Sequence, residues 1–120
     1  MRLSLALLLA LGTTLVAHAA DNWPQWRGPN GNAVAADGDY PEVFSGERGL
    51  LWKVKLPGVG SSTPAVWDDQ IFVTCSVDGD DAIVCYDFDG NERWKKLLGP
   101  GKPGKHRNGS GSNPSPLVDG

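Results

Sequence analysis

A chain of 120 residues has room for one domain at most. Its net charge of −3, with no basic patch interleaved with aromatics, argues against a nucleic-acid partner. Sixteen Gly, nine Pro and five Trp in so short a chain favour many short strands over helices.

Residues 1–19 read as a leader, not as part of the fold. Arg2 gives a positive start, and residues 3–16 are apolar apart from Ser4, Gly12, Thr13 and Thr14. Ala17-His18-Ala19 then supplies an A-x-A processing site, completing the pattern of a secretory signal peptide. The apolar run is too short to span a membrane, which takes about 20 apolar residues. No second apolar segment follows, so no membrane span is expected after leader removal. No Cys follows the processing site, which disfavours a lipid anchor. Loss of Arg2 takes the net charge from −3 to −4. The expected location is the periplasm or the cell exterior, where disulfides persist.

Residues 20–49 carry little regular signal. "DNWPQWRGPNGNAVA" sets Trp23 and Trp26 among Pro, Gly and Asn, and reads as an extended arm that docks through its two indoles. "LWKVKL" (51–56) alternates, with Trp52, Val54 and Leu56 on one face and Lys53 and Lys55 on the other. That pattern predicts a half-buried strand over 50–56. "TPAVW" predicts a short strand over 63–67, with Pro64 near its start, where a missing N–H is tolerated. "IFVTCSV" (71–77) and "AIVCYDF" (82–88) are strong strands by β-branched and aromatic content, with "DGDD" turning the chain between them. "DGN" turns it again before "ERWKKLL" (92–98). A Gly/Pro-rich insertion occupies 99–113, and 114–120 opens a further strand. Strands 71–77 and 82–88 are apolar on both faces, so the sheet is expected to be covered on both sides.

Internal repetition suggests the architecture. "LWKVKL" returns as "RWKKLL" (93–98), aligning Trp52 with Trp94 at a spacing of 42. "TPAVWDD" returns as "SPLVDG", aligning Pro64 with Pro116 at a spacing of 52, and the insertion absorbs the difference. A period of roughly 40–50 residues with four short strands per unit is the pattern of a β-propeller. The predicted fold class is all-β: one four-stranded antiparallel blade plus a preceding strand of an incomplete propeller. Such a piece is expected to need its remaining blades in cis and to leave strand edges unpaired.

The residues also resemble a family. "CYDFDGNERW" (85–94) is similar to the Trp-docking signature of pyrroloquinoline-quinone-type (PQQ-like) propeller repeats: a strand ending in Asp, a Gly-containing turn, then a Trp. Cys85, Tyr86, Asp87, Gly90 and Trp94 fill those places, with a slightly shorter turn. "SSTPAV" and "NPSPLVDG" resemble the family's opening strand, and "WPQWRGPNG" resembles a secreted bacterial subgroup. The resemblance implies that Asp87, Gly90, Trp94 and Trp52 are structural docking residues. It leaves function open, because one fold hosts many functions. Some members are periplasmic quinoprotein dehydrogenases that hold PQQ against a disulfide of adjacent Cys and use an acidic base with Ca²⁺. Others are non-catalytic scaffolds or sensor regions. PQQ and Ca²⁺ are thus implied by family analogy alone. The favoured expectation is a non-catalytic binding or scaffold module with a protein or cell-envelope partner. The alternative is a periplasmic oxidoreductase whose active site lies in other blades.

Read for chemistry, the residues offer little. If 71–77 and 82–88 form a hairpin centred on Asp80, Cys75 stands opposite Cys85, with Cα atoms about 4.5 Å apart, within disulfide range. That bond would add about 2–3 kcal/mol in the chain-entropy account. A slip of one residue would send the two sulfurs to opposite faces. The other reading of the pair is two small buried hydrophobes. "GPGKPGKH" (99–106) approaches a phosphate loop, but His106 stands where Ser or Thr belongs, and Pro100 and Pro103 lack donors. "DFDGNE" (87–92) starts like a calcium loop, yet Gly90 comes too early and Leu98 stands where a bidentate Glu is required. The basic segment 93–107 suits a solvated surface, with an acidic glycan or lipopolysaccharide as the other reading. No catalytic constellation is evident: beyond His18 in the leader, His106 stands alone.

Overall fold

The computed structural model describes residues 22–102 and 112–119. The leader at 1–19 and most of the 99–113 insertion lie outside the described residues. The fold is all-β, with no helix among the described residues. Four strands form one antiparallel sheet: β1 (Ala65–Trp67), β2 (Gln70–Val77), β3 (Asp80–Tyr86) and β4 (Glu92–Pro100). Their spatial order is their chain order, so every connection is a hairpin.

The β2–β3 turn is tighter than expected. Val77 pairs directly with Asp80, leaving only Asp78 and Gly79 in the loop. Both have positive φ, 51° and 92°, the conformation that Asp-Gly favours in two-residue hairpins because its twist matches that of the strands. The hairpin is therefore not centred on Asp80, and Asp80 and Asp81 belong to β3.

This register overturns the disulfide expectation. Cys75 stands opposite Ala82, and Cys85 stands opposite Phe72. Side chains alternate across a strand, so the two sulfurs lie on opposite faces of the sheet. Both cysteines are free and buried, which is the small-hydrophobe reading of the pair.

The predicted strand over 50–56 is also corrected. The segment belongs to no strand and makes no backbone–backbone hydrogen bond among the described residues. Its alternation is kept only in part: Trp52 and Leu56 are half-buried, but Val54 is exposed along with Leu51, Lys53 and Lys55. Periodicity specifies a buried face, but a strand also needs a neighbour with a free edge. The edge of β1 is already taken: Trp23 exchanges two 2.8 Å backbone hydrogen bonds with Val66. Of the two arm residues expected to dock through their indoles, Trp23 meets the sheet through its backbone, its indole lying against Gly28 of the arm. Trp26 stays 60% exposed, with the Arg27 guanidinium 4.5 Å from its ring.

One sheet face carries the core. Val73, Cys75, Val84 and Tyr86 are buried together, and Leu56, Ile71 and Val77 pack against them. On the other face Phe72, Cys85 and Trp94 stand in a row across β2, β3 and β4. The small Cys85 lets the flanking rings meet, with centroids 5.9 Å apart and planes tilted by 51°. Residues 112–119 reach the same face, where Thr74 Oγ1 donates to the Pro114 carbonyl at 2.6 Å and Ser112 Oγ donates to Asp81. The sheet thus receives chain on both faces, as its two apolar faces require.

Candidate functional site

The most organised polar constellation is the β3–β4 turn, where Asp87 acts as a clamp. Its Oδ1 accepts the backbone N–H groups of Asp89 at 3.0 Å and Asn91 at 2.9 Å, and its Oδ2 accepts Asn91 Nδ2 at 3.1 Å. The backbone closes the same loop, with Asp87 N–H donating to Asn91 O at 3.0 Å and Gly90 N–H donating to Asp87 O at 3.1 Å. The Asn91 backbone N–H in particular holds the Asp87 carboxyl below the usual carboxylate range. With its oxygens committed to the loop, Asp87 sets the turn that presents Gly90.

Trp52 occupies that turn. Its Nε1–H donates to the Phe88 carbonyl at 2.5 Å, thirty-six residues away. Its ring lies flat against Gly90: a Cβ there would sit 2.9 Å from Trp52 Cδ2 and 3.0 Å from Cε3. Gly90 also has φ of 84°, which a side chain would strain. Two demands thus converge on glycine, the left-handed turn and the close approach of the indole. Gly49, Leu51, Trp52 and Phe88 line a shallow open groove beside the contact.

Trp94 lies elsewhere. It is 41% exposed on β4, opposite Cys85 and against Phe72, and the atoms nearest a Cβ at Gly90 belong to Trp52 instead. Of the four docking residues expected from sequence, the structure brings together Asp87, Gly90 and Trp52 and leaves Trp94 apart. Register shifts flank Trp94 in the β3–β4 pairing, leaving Arg93 and Leu98 without a partner residue on β3. Arg93 reaches back to Asp69, Nη2 to Oδ2 at 2.6 Å. That hydrogen bond lowers the Asp69 pKa and raises that of Arg93. Burial pushes up the Cys85 thiol and the Tyr86 phenol, so both stay neutral at physiological pH.

A second set of contacts was not anticipated residue by residue. Ser61 Oγ donates to Asn113 Oδ1 at 2.6 Å, and Thr63 N–H donates to Ser115 Oγ at 2.9 Å. Both pairs are separated by 52 residues, the spacing that aligns Pro64 with Pro116. The repeat spacing was the signal that could have found them. Nearby, Ser62 Oγ accepts Thr74 N–H and donates to Thr74 O, both at 3.1 Å, standing in for a missing rung of the β1–β2 ladder.

The residues do not fit the quinone site of the dehydrogenases. That site needs adjacent cysteines in a disulfide, whereas Cys75 and Cys85 are ten apart and on opposite faces. Among the described residues no group of three or more His, Cys, Asp or Glu is placed to hold a metal ion. Nor is any helix among them long and apolar enough to cross a membrane. The fold and this turn define an all-β, four-stranded antiparallel unit with an indole seated on its last hairpin. Set against known proteins, the chain matches no family model, no curated protein and no solved structure.

Proposed function

We propose that this chain is an exported piece of a PQQ-like β-propeller that serves as a non-catalytic binding or scaffold module, with further blades in cis. The observation that carries this reading is the contact of repeat-equivalent residues. Ser61 with Asn113 and Thr63 with Ser115 are 52 apart, the spacing of the sequence repeat itself. Stacked repeats bring equivalent segments side by side, because each unit buries its faces against its neighbours. The Trp52 contact supports the same reading, since its repeat equivalent Trp94, packed on Phe72, keeps 41% of its surface exposed toward a neighbouring turn.

The best-ordered polar side chains support that reading: Asp87 holds a turn, and Ser61, Ser62 and Ser115 join segments. The residues suit a platform for a protein or cell-envelope partner outside the cytoplasm. The test is a dye-linked oxidation assay of the exported protein supplemented with PQQ and Ca²⁺ across a panel of alcohols and sugars. No cofactor-dependent dye reduction is expected. Saturable, cofactor-dependent reduction would overturn the scaffold reading in favour of an oxidoreductase.

A further inference from the structure

We propose that the outer edge of β4 is a strip that docks on an anionic phospholipid surface. The proposal rests on the reading of an exported module with a cell-envelope partner, and it gives that partner a chemistry. β4 is the last strand of the sheet, so one edge pairs with β3 and the other meets no strand among the described residues. Its side chains are exposed from Glu92 through Leu98. Residues 93–102 hold Arg93, Lys95, Lys96 and Lys102 and no acid. Arg93 is spent on Asp69 at 2.6 Å, and Lys95 meets Glu92 only at 3.6 Å. Lys96 and Lys102 have no ion pair among the described residues.

Two further features favour a lipid surface over other anions. Leu97 and Leu98 follow the lysines directly and are 52% and 60% exposed. Apolar side chains beside cations suit the boundary of a bilayer, where apolar atoms sink toward the acyl chains and ammonium groups stay with the phosphates. Charge is also sorted along the sheet. Asp68, Asp69, Asp78, Asp87 and Asp89 sit between strands, in the turns at the ends of the sheet. The flank of β4 can therefore approach a surface that the net negative charge of the chain would otherwise repel. A second copy of the chain is a poor occupant, because pairing two β4 edges would bring lysines of like sign together. Trp94 is left to its contact with Phe72 and takes no part in the strip.

The test is flotation of the exported protein, freed of residues 1–19, with vesicles of equal parts phosphatidylglycerol and phosphatidylcholine, compared with phosphatidylcholine alone. Uptake is expected on the anionic vesicles only and should fall as salt is raised. Lys95→Gln with Lys96→Gln should weaken it about thirtyfold, at roughly fivefold for each cation near the surface. Lys53→Gln with Lys55→Gln removes the same charge away from the strip and should change uptake by less than about twofold. Leu97→Ser with Leu98→Ser should abolish the share of uptake that survives high salt. Amide exchange in β2 and β3 checks that each variant keeps the sheet. No uptake on anionic vesicles, or equal loss from the two lysine pairs, would overturn the proposal. So would binding of soluble heparin or of an acidic peptide without vesicle uptake, which would give the strip another partner. The dye-linked assay judges the module reading separately. Dye reduction with vesicle uptake intact removes the scaffold reading alone, and absent uptake without dye reduction removes the strip alone.

Discussion

Replacing Gly90 with alanine separates two contributions that usually travel together. At φ of 84° a side chain brings a left-handed strain of about 1–2 kcal/mol. The new methyl would also stand 2.9 Å from Trp52 Cδ2, well inside the roughly 3.5–4.0 Å of a favourable carbon contact. The indole must lift away, weakening the Nε1–H bond to Phe88 O, worth about 0.5–1.5 kcal/mol. The expected loss is about 2–3 kcal/mol. Gly79 supplies the control: its φ is 92°, but nothing lies within 4 Å of its would-be Cβ. Gly79→Ala should therefore cost only the backbone strain, about 1–2 kcal/mol. In a Trp52→Ala background the Gly90→Ala cost should fall to the Gly79 level, a coupling of about 1 kcal/mol. Amide exchange at Val84 and Lys95 reads these values as local opening free energies, with no need for a two-state global transition. Equal costs at the two glycines, or additivity of Gly90→Ala with Trp52→Ala, would refute the seat.

Four further outcomes are expected. Trp94→Ala should cost on the order of 1–2 kcal/mol, mostly its pairing with Phe72, not the roughly 3–5 kcal/mol of a fully buried aromatic, when hairpin exchange is measured. The amide shifts of Asp89 and Asn91 should titrate with a midpoint below about 3.9, the ordinary Asp value. Because the folded pKa of Asp87 is lowered, its stabilisation of the turn is complete above the unfolded value and lost as pH falls through the folded one, and Asp87→Asn should flatten that dependence. Ser62→Ala strands both backbone groups of Thr74 and should cost about 1–3 kcal/mol, more than Ser61→Ala, which removes one exposed hydrogen bond, as proteolysis rates of the variants would report. Without reductant, denatured chain should take up two equivalents of alkylating agent, at Cys75 and Cys85, and native chain should react slowly; uptake of none on denaturation would show a disulfide and contradict the register.

Local chemistry made much of the sheet legible in sequence. β2 and β3 are dense in branched and aromatic residues, and β4 follows a glycine turn, so their existence and order could be read directly. Their apolar character on both faces announced that chain would cover each side. The β2–β3 register was present too, in the Asp78-Gly79 pair, but the run of acidic residues after it obscured which two formed the turn. An error of that kind reverses every side chain, which is why the cysteines parted. Asp87 and Gly90 stood out as turn residues, whereas the indole that meets them could not be read from their own stretch.

The sequence by itself determined the all-β class, the strands of the sheet, the turn that needs Gly90 and the spacings of 42 and 52 that relate its parts. These are local or periodic properties, fixed by backbone conformation and side-chain alternation over a few residues. Only the tertiary structure decided which distant groups meet. It placed Trp52 on Gly90, Ser115 against Thr63 and Trp23 on the β1 edge, and it left 50–56 without a backbone partner among the described residues. Such choices depend on which edges and faces remain free once the sheet has formed. That competition involves the whole chain, and no single stretch of it contains the answer.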